Sequence, residues 1–174
     1  MSIAPGAAPD YVEPVLGWRL WYAVGDGADT QLSSVVHRTL WPRGAPLEAS
    51  CRRMRLSFWP FSCSRHDAPA EDCTCGIYAA SVGALETYLP EVSAWTYLVP
   101  VLGRVSLWGV VHQHEHGWRA SRAYPESLFV PIAELRLSRA VQVVSGLRAY
   151  GVPVRAVDGS SADAVVAEVS ALAA

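Results

Sequence analysis

All four cysteines of the chain, Cys51, Cys63, Cys73 and Cys75, lie between residues 51 and 75, together with His66. Thiolate and imidazole are the ligands zinc prefers, and a closed tetrahedral site needs four of them, so five candidates stand here for four places. A chain that holds an ion in this way must bring these residues to one point, whatever else it folds into. The stretch Asp67-Ala-Pro-Ala-Glu-Asp72 is loop-like, as a metal knuckle requires. Cys73 and Cys75 are one residue apart. On an extended strand both thiolates would face one side; in a tight turn opening into Gly76 they would converge as well, with Gly76 allowing a close approach or a positive φ beside the ion. The spacing differs from the paired C-x₂-C pattern. An iron–sulfur centre with three Cys and one His is the alternative occupant. The bland reading of four cysteines is that each is a small buried hydrophobe, and their clustering counts against it. No C-x-x-C motif and no single distinguished thiol point to redox or nucleophilic chemistry.

Whether cysteines pair with one another or bind metal depends on the compartment. The first ten residues are small and Pro/Ala-rich, with no basic start and no long apolar run, unlike a signal peptide. No stretch reaches the roughly 18–20 apolar residues of a membrane span. The expectation is a cytoplasmic protein, in which cysteines are free or metal-bound more often than disulfide-paired. Lysine and asparagine are absent and all 14 basic residues are Arg, the mark of a high-GC bacterial codon supply rather than of an arginine-based binding code. The net charge of −2 argues against non-specific nucleic-acid binding, which needs a basic footprint. With 174 residues, 51% hydrophobic and 17% charged, the chain fits a flexible N-terminus over 1–10 and one well-buried domain over 11–174.

Along that domain, Gly17–Val24 reads as an aromatic-rich strand ended by Gly25-Asp26-Gly27. Short strands are expected within 32–40 and 47–51. Apolar residues at Ile77, Ala80, Ala84, Leu85 and Tyr88 match helical spacing, and Pro90 would close that helix. Residues 97–111 are the strongest strand signal, returning as Trp118–Pro125 through a turn near Glu115–Gly117. Ser138–Tyr150 fits a helix capped by Ser138 and Gly151. A short strand over 152–157 and a helix over 162–172 complete the order. The fold class is therefore α+β: a curled antiparallel sheet or small barrel, PUA-like by analogy of fold, with two or three flanking helices and a zinc-clamped loop.

Several of these segments also form a recognisable pattern. Cys51, His66-Asp-Ala-Pro69, Cys73-Thr-Cys-Gly-Ile-Tyr-Ala79, Gly103-Arg-Val-Ser-Leu-Trp-Gly109, Gly117-Trp-Arg-Ala120 and Ala123-Tyr-Pro125 resemble a family of small actinobacterial proteins to which no function is attached. The resemblance covers residues 16–153. It implies Cys51, His66, Cys73 and Cys75 as the metal ligands and leaves Cys63, within a longer insertion over 52–65, in reserve. It implies nothing about activity.

Two features remain. His112, His114 and His116 alternate, and on a strand would share one face. Two of them with a third ligand could hold a catalytic metal, although a solvated hairpin end accounts for them more simply. Trp108, Trp118, Arg119, Arg122 and Tyr124 sit on the hairpin as a candidate ligand-binding face, since aromatic rings beside guanidinium groups can stack a planar ligand or base. The competing reading places such residues in the core. Three functions follow. The favoured one is a zinc-stabilised, non-catalytic binding or regulatory module for a protein or small ligand. The others are a reader of nucleic acid or a modified base through the Trp/Arg face, and a metal-dependent enzyme using His112 and His114. No phosphate loop, dinucleotide fingerprint or G-x-S-x-G elbow is present.

Overall fold

The computed structural model describes residues 13–51, 66–85, 98–158 and 162–173. In chain order the elements are β1 (Val15–Val24), a 3-10 turn (Gly27–Asp29), β2 (Gln31–Ser34), β3 (Leu47–Glu48), β4 (Ile77–Ala80) and a second 3-10 turn (Val82–Ala84). There follow β5 (Val99–His114), β6 (Gly117–Pro131), helix α1 (Leu137–Leu147) with a 3-10 extension (Arg148–Tyr150), β7 (Val154–Val157) and α2 (Ala162–Ala173). The class is mixed α+β, with one seven-stranded sheet and two helices among the described residues.

The apolar runs on either side of Glu115-His116 become the long hairpin of β5 and β6. One edge of β6 pairs with β5 along its length. The other is shared in turn by β4, β3 and the parallel strand β7. Register shifts between Arg104 and Val105 and between Trp108 and Val111 mark bulges, which add local twist and bend a strand. The hairpin curls until β1, paired with β5 from Val15 to Ala23, meets β4, which is itself paired with β6. Four strands thus close into a ring. Its narrowest joint is β1 to β4, a single pair, Trp18 with Ala80.

Strand alternation divides the interior in two. Trp21 and Ala23 of β1 face a core with Val101, Val105, Leu128 and Val130, onto which α1 sets Val143 and Leu147. Trp18 and Leu20 face the other way, towards Leu102, Phe129, Val157 and, from α2, Val166 and Val169. Both faces of the sheet are covered, each by its own helix, which accounts for the high apolar content. Tyr150 ties distant segments into the larger core. Its hydroxyl donates to the Trp41 carbonyl at 2.8 Å and accepts from the Leu32 N–H at 2.9 Å. Its carbonyl accepts from the Tyr124 hydroxyl at 2.9 Å.

The structure corrects one expectation outright. Residues 77–80 are a strand, not the start of a helix; the remainder of that expected helix, 86–89, lies outside the described residues. Ile77 and Ala79 are buried at 5% and 7% exposure while Tyr78 is 46% exposed, a period of two. Two waiting strand edges outweigh a helical spacing built partly on alanines. Helix α1 begins at Leu137 with Arg136 as N-cap rather than Ser138, and Gly151 ends it at φ 71°.

Gly117 is where the hairpin meets β4. A Cβ there would lie 2.1 Å from the Ala79 carbonyl oxygen at φ 152°. Gly117→Ala should therefore destabilise the fold by about 2–4 kcal/mol, combining overpacking with backbone strain. Tyr150→Phe, which leaves the buried Leu32 N–H and Trp41 carbonyl unpaired, should cost about 1–3 kcal/mol. Denaturant unfolding of each variant against the parent chain measures both.

Candidate metal centre

The knuckle begins where β3 leaves the sheet. Cys51 follows that strand, and the described chain resumes at His66. A turn over Glu71-Asp72, with the Cys73 N–H bonded to the Ala70 carbonyl at 3.2 Å, reverses the backbone. Cys73, Thr74 and Cys75 then lead through Gly76, at φ 129°, straight into β4. Neither cysteine is on a strand: Cys73 closes the turn from Ala70, and Cys75 lies in the irregular lead to β4.

The turn brings Cys51, His66, Cys73 and Cys75 together, with their ligand atoms all within 4.8 Å of one another. The Cys51 and Cys73 sulfurs are 3.8 Å apart, and His66 Nε2 lies 3.3 Å from the Cys75 sulfur. Bond lengths of about 2.3 Å to sulfur and 2.0–2.1 Å to nitrogen around a tetrahedral zinc require edges of about 3.8 Å and 3.6 Å. The Cys51–Cys73 edge matches such a cage and the His66–Cys75 edge is slightly shorter than it, and a disulfide, at about 2.05 Å between sulfurs, is excluded for Cys51 and Cys73. A Cys₃His group of this kind can hold a metal ion such as zinc. Cys63 lies outside the described residues.

A backbone amide prepares the Cys73 sulfur for charge. Chiefly through the Cys75 N–H, hydrogen bonding lowers the Cys73 thiol to a pKa of about 7. Burial pushes the Cys75 thiol up, against the pull of a hydrogen bond from the Ala70 backbone.

Arg119 holds the knuckle from behind. It is 4% exposed, and its Nη1 donates to the carbonyls of Cys73 and, at 3.1 Å, Cys75. Its Nε donates to His114 Nε2 at 2.8 Å. Arg19 does the same one step further on, donating from Nη1 to the Tyr78 carbonyl and from Nη2 to Ser34 Oγ at 3.3 Å, while stacking 5.2 Å from the Trp41 ring centre. Burial lowers the Arg19 pKa to about 10, so it stays charged at neutral pH. The two arginines close two Gly-Trp-Arg segments, Gly17–Arg19 on β1 and Gly117–Arg119 on β6, that flank β4 on either side.

The remaining sequence candidates have other surroundings. His114 Nε2 is occupied by Arg119, and the group of metal-capable side chains among the described residues is the Cys51 cluster, without His112 or His114. Tyr124 accepts from the Gly44 N–H at 2.8 Å and donates to Tyr150. Arg122 pairs with Glu48 at 3.3 Å, and Trp108 lies opposite Arg122 across the hairpin. Trp118 packs partly on the core and partly lines an open cleft. The guanidinium–ring contacts among the described residues are elsewhere, at Arg19 over Trp41 and Arg38 over Tyr22. Sequence reasoning missed Arg19 and Arg119 as braces. The repeated Gly-Trp-Arg triplet was the available signal.

No protein-family model, curated protein or solved structure matches the chain. The case for the centre is thus its own geometry. Among the described residues no helix is long and apolar enough to cross a membrane.

Protein purified without chelators should carry one equivalent of metal by elemental analysis. Cys73→Ser, Cys75→Ser and His66→Ala should each weaken metal binding by more than the roughly 10–100-fold that loss of an outer-shell partner costs, with a lower thermal midpoint. Cys51→Ser should be more damaging than Cys63→Ser. The reverse order would replace Cys51 by Cys63 in the ligand set.

Proposed function

We propose that this chain is a zinc-stabilised, non-catalytic binding module whose ligand, a small molecule or a peptide segment of a partner, sits in the cleft beside the knuckle. One observation carries the reading: the knuckle is both a closed four-ligand set and a wall of a cleft. Among the described residues that cleft has a volume of about 1240 Å³ and is lined by Cys51, Cys73 and Cys75 together with Leu20, Tyr78 and Trp118. It exceeds the roughly 300–1,000 Å³ of most small-molecule sites. Four protein ligands fill a tetrahedral zinc and leave no position for a substrate or an activated water, which is the structural rather than the catalytic pattern. The metal's part is to keep one wall of the cleft in place.

A ligand-observed NMR screen of the zinc-loaded protein, using aromatic and peptide fragments, tests the reading. Binders should be found and should be lost in Val36→Arg and Tyr78→Ala, two exposed cleft positions, while zinc stays at one equivalent. Binders indifferent to both substitutions would place recognition elsewhere. Tight oligonucleotide binding that collapses as salt rises would favour a nucleic-acid reader instead.

A further inference from the structure

Among the described residues, Arg119 sets its guanidinium on the carbonyls of the knuckle and takes part in none of the ion pairs that join an arginine to a carboxylate. The arginine–carboxylate ion pairs among the described residues join Arg104 to Glu126, Arg122 to Glu48 and Arg139 to Asp26. The partners of Arg119 are two backbone carbonyls and a histidine nitrogen, all neutral acceptors. These engage Nε and Nη1 and leave its charge in place. A guanidinium does not deprotonate in proteins, and a buried charge without an opposite one is costly.

The knuckle has the complementary imbalance. Three thiolates and a neutral imidazole around a divalent ion carry a net charge of −1. We propose that Arg119 is the outer-sphere cation of the metal centre: seated on the carbonyls of Cys73 and Cys75, it balances the charge three thiolates leave on a divalent ion and so matches the site to divalent metals. The inference rests on the metal reading above. With Arg119 counted, a divalent ion makes the group neutral, whereas a monovalent ion leaves it at −1 and a trivalent ion at +1.

The hydrogen bonds explain how the charge is kept there. Nη1 bridges the carbonyls of two ligand residues on either side of Thr74, so the guanidinium cannot turn away without freeing both. The Nε donation to His114 Nε2 fixes the third side and requires that ring to carry its proton on Nδ1 when neutral. His114 thereby acts as a prop for Arg119, the kind of outer partner that metal sites use to orient their ligands.

Zinc affinity, measured by chelator competition on the full chain, separates charge from geometry. Arg119→Gln keeps a donor and removes the charge; it should bind zinc about 10–100-fold more weakly. Arg119→Lys restores the charge without the fork and should recover most of that loss. His114→Ala, with the charge intact, should lose less than Arg119→Gln. Equal losses in the Lys and Gln variants, or wild-type affinity in Arg119→Gln, would overturn the proposal. Should Arg119→Gln fail to fold, side-chain ¹⁵N NMR of the wild type decides: the Arg119 Nε–H signal should shift when zinc is added, and an unmoved signal counts against the role. A wild-type chain that takes up no zinc defeats the metal reading and this inference together, a result distinct from zinc uptake indifferent to residue 119.

Discussion

The architecture depends on the clamping of β4 between two strands that each present Gly-Trp-Arg. Four residues long, β4 pairs with β6 over its whole length and with β1 at one position. So short a strand contributes few ladder bonds. The close approach is possible because position 117 has no side chain, so β6 can lie directly against the Ala79 carbonyl. The arginines then take up carbonyls that the ladder does not use, at Cys73, Cys75 and Tyr78. Without this wedge the ring is an open curled sheet, with β1 and β6 joined only through β5.

Fold and knuckle are therefore one structure. The Cys73-Thr-Cys75 segment is the N-terminal lead of β4, and Cys51 is the exit from β3, which also pairs with β6. An ion held by Cys51, His66, Cys73 and Cys75 would join two strands that leave the same edge of β6. Arg119 makes the connection from the opposite side, with its backbone in β6 and its guanidinium on the knuckle. The candidate ligands Cys73 and Cys75 and the closing strand β4 are thus contiguous, so a metal bound there would bear directly on ring closure.

Much of this was legible in the chain. The Cys/His segment, the long hairpin with its Glu115-His116 turn, the α+β order and the Gly151 stop all depend on local chemistry: ligand type, strand period, turn composition and the φ that glycine permits. The helix expected from Ile77 shows where such reasoning ends. Ile77, Ala80 and Ala84 satisfy helical spacing, while Ile77, Tyr78 and Ala79 satisfy strand alternation equally well, and no local feature separates them. Arg119 and Tyr124 likewise look like surface ligand contacts when read beside Trp108 and Trp118. Their hydrogen-bonding partners, at Cys73, Cys75, Gly44 and Tyr150, are distant in sequence.

By itself, then, the sequence determined the kinds of element and the chemistry of the knuckle, because both follow from residue type and short-range spacing. Tertiary structure alone decided that β4 is a strand, that one Gly-Trp-Arg segment lies on each side of it, and that a buried guanidinium stands behind the cysteines. Those outcomes were set by which strand edges were left unpaired and which carbonyls were left without a donor once β5 and β6 had curled. Long-range closure creates both needs, and no window of neighbouring residues contains them.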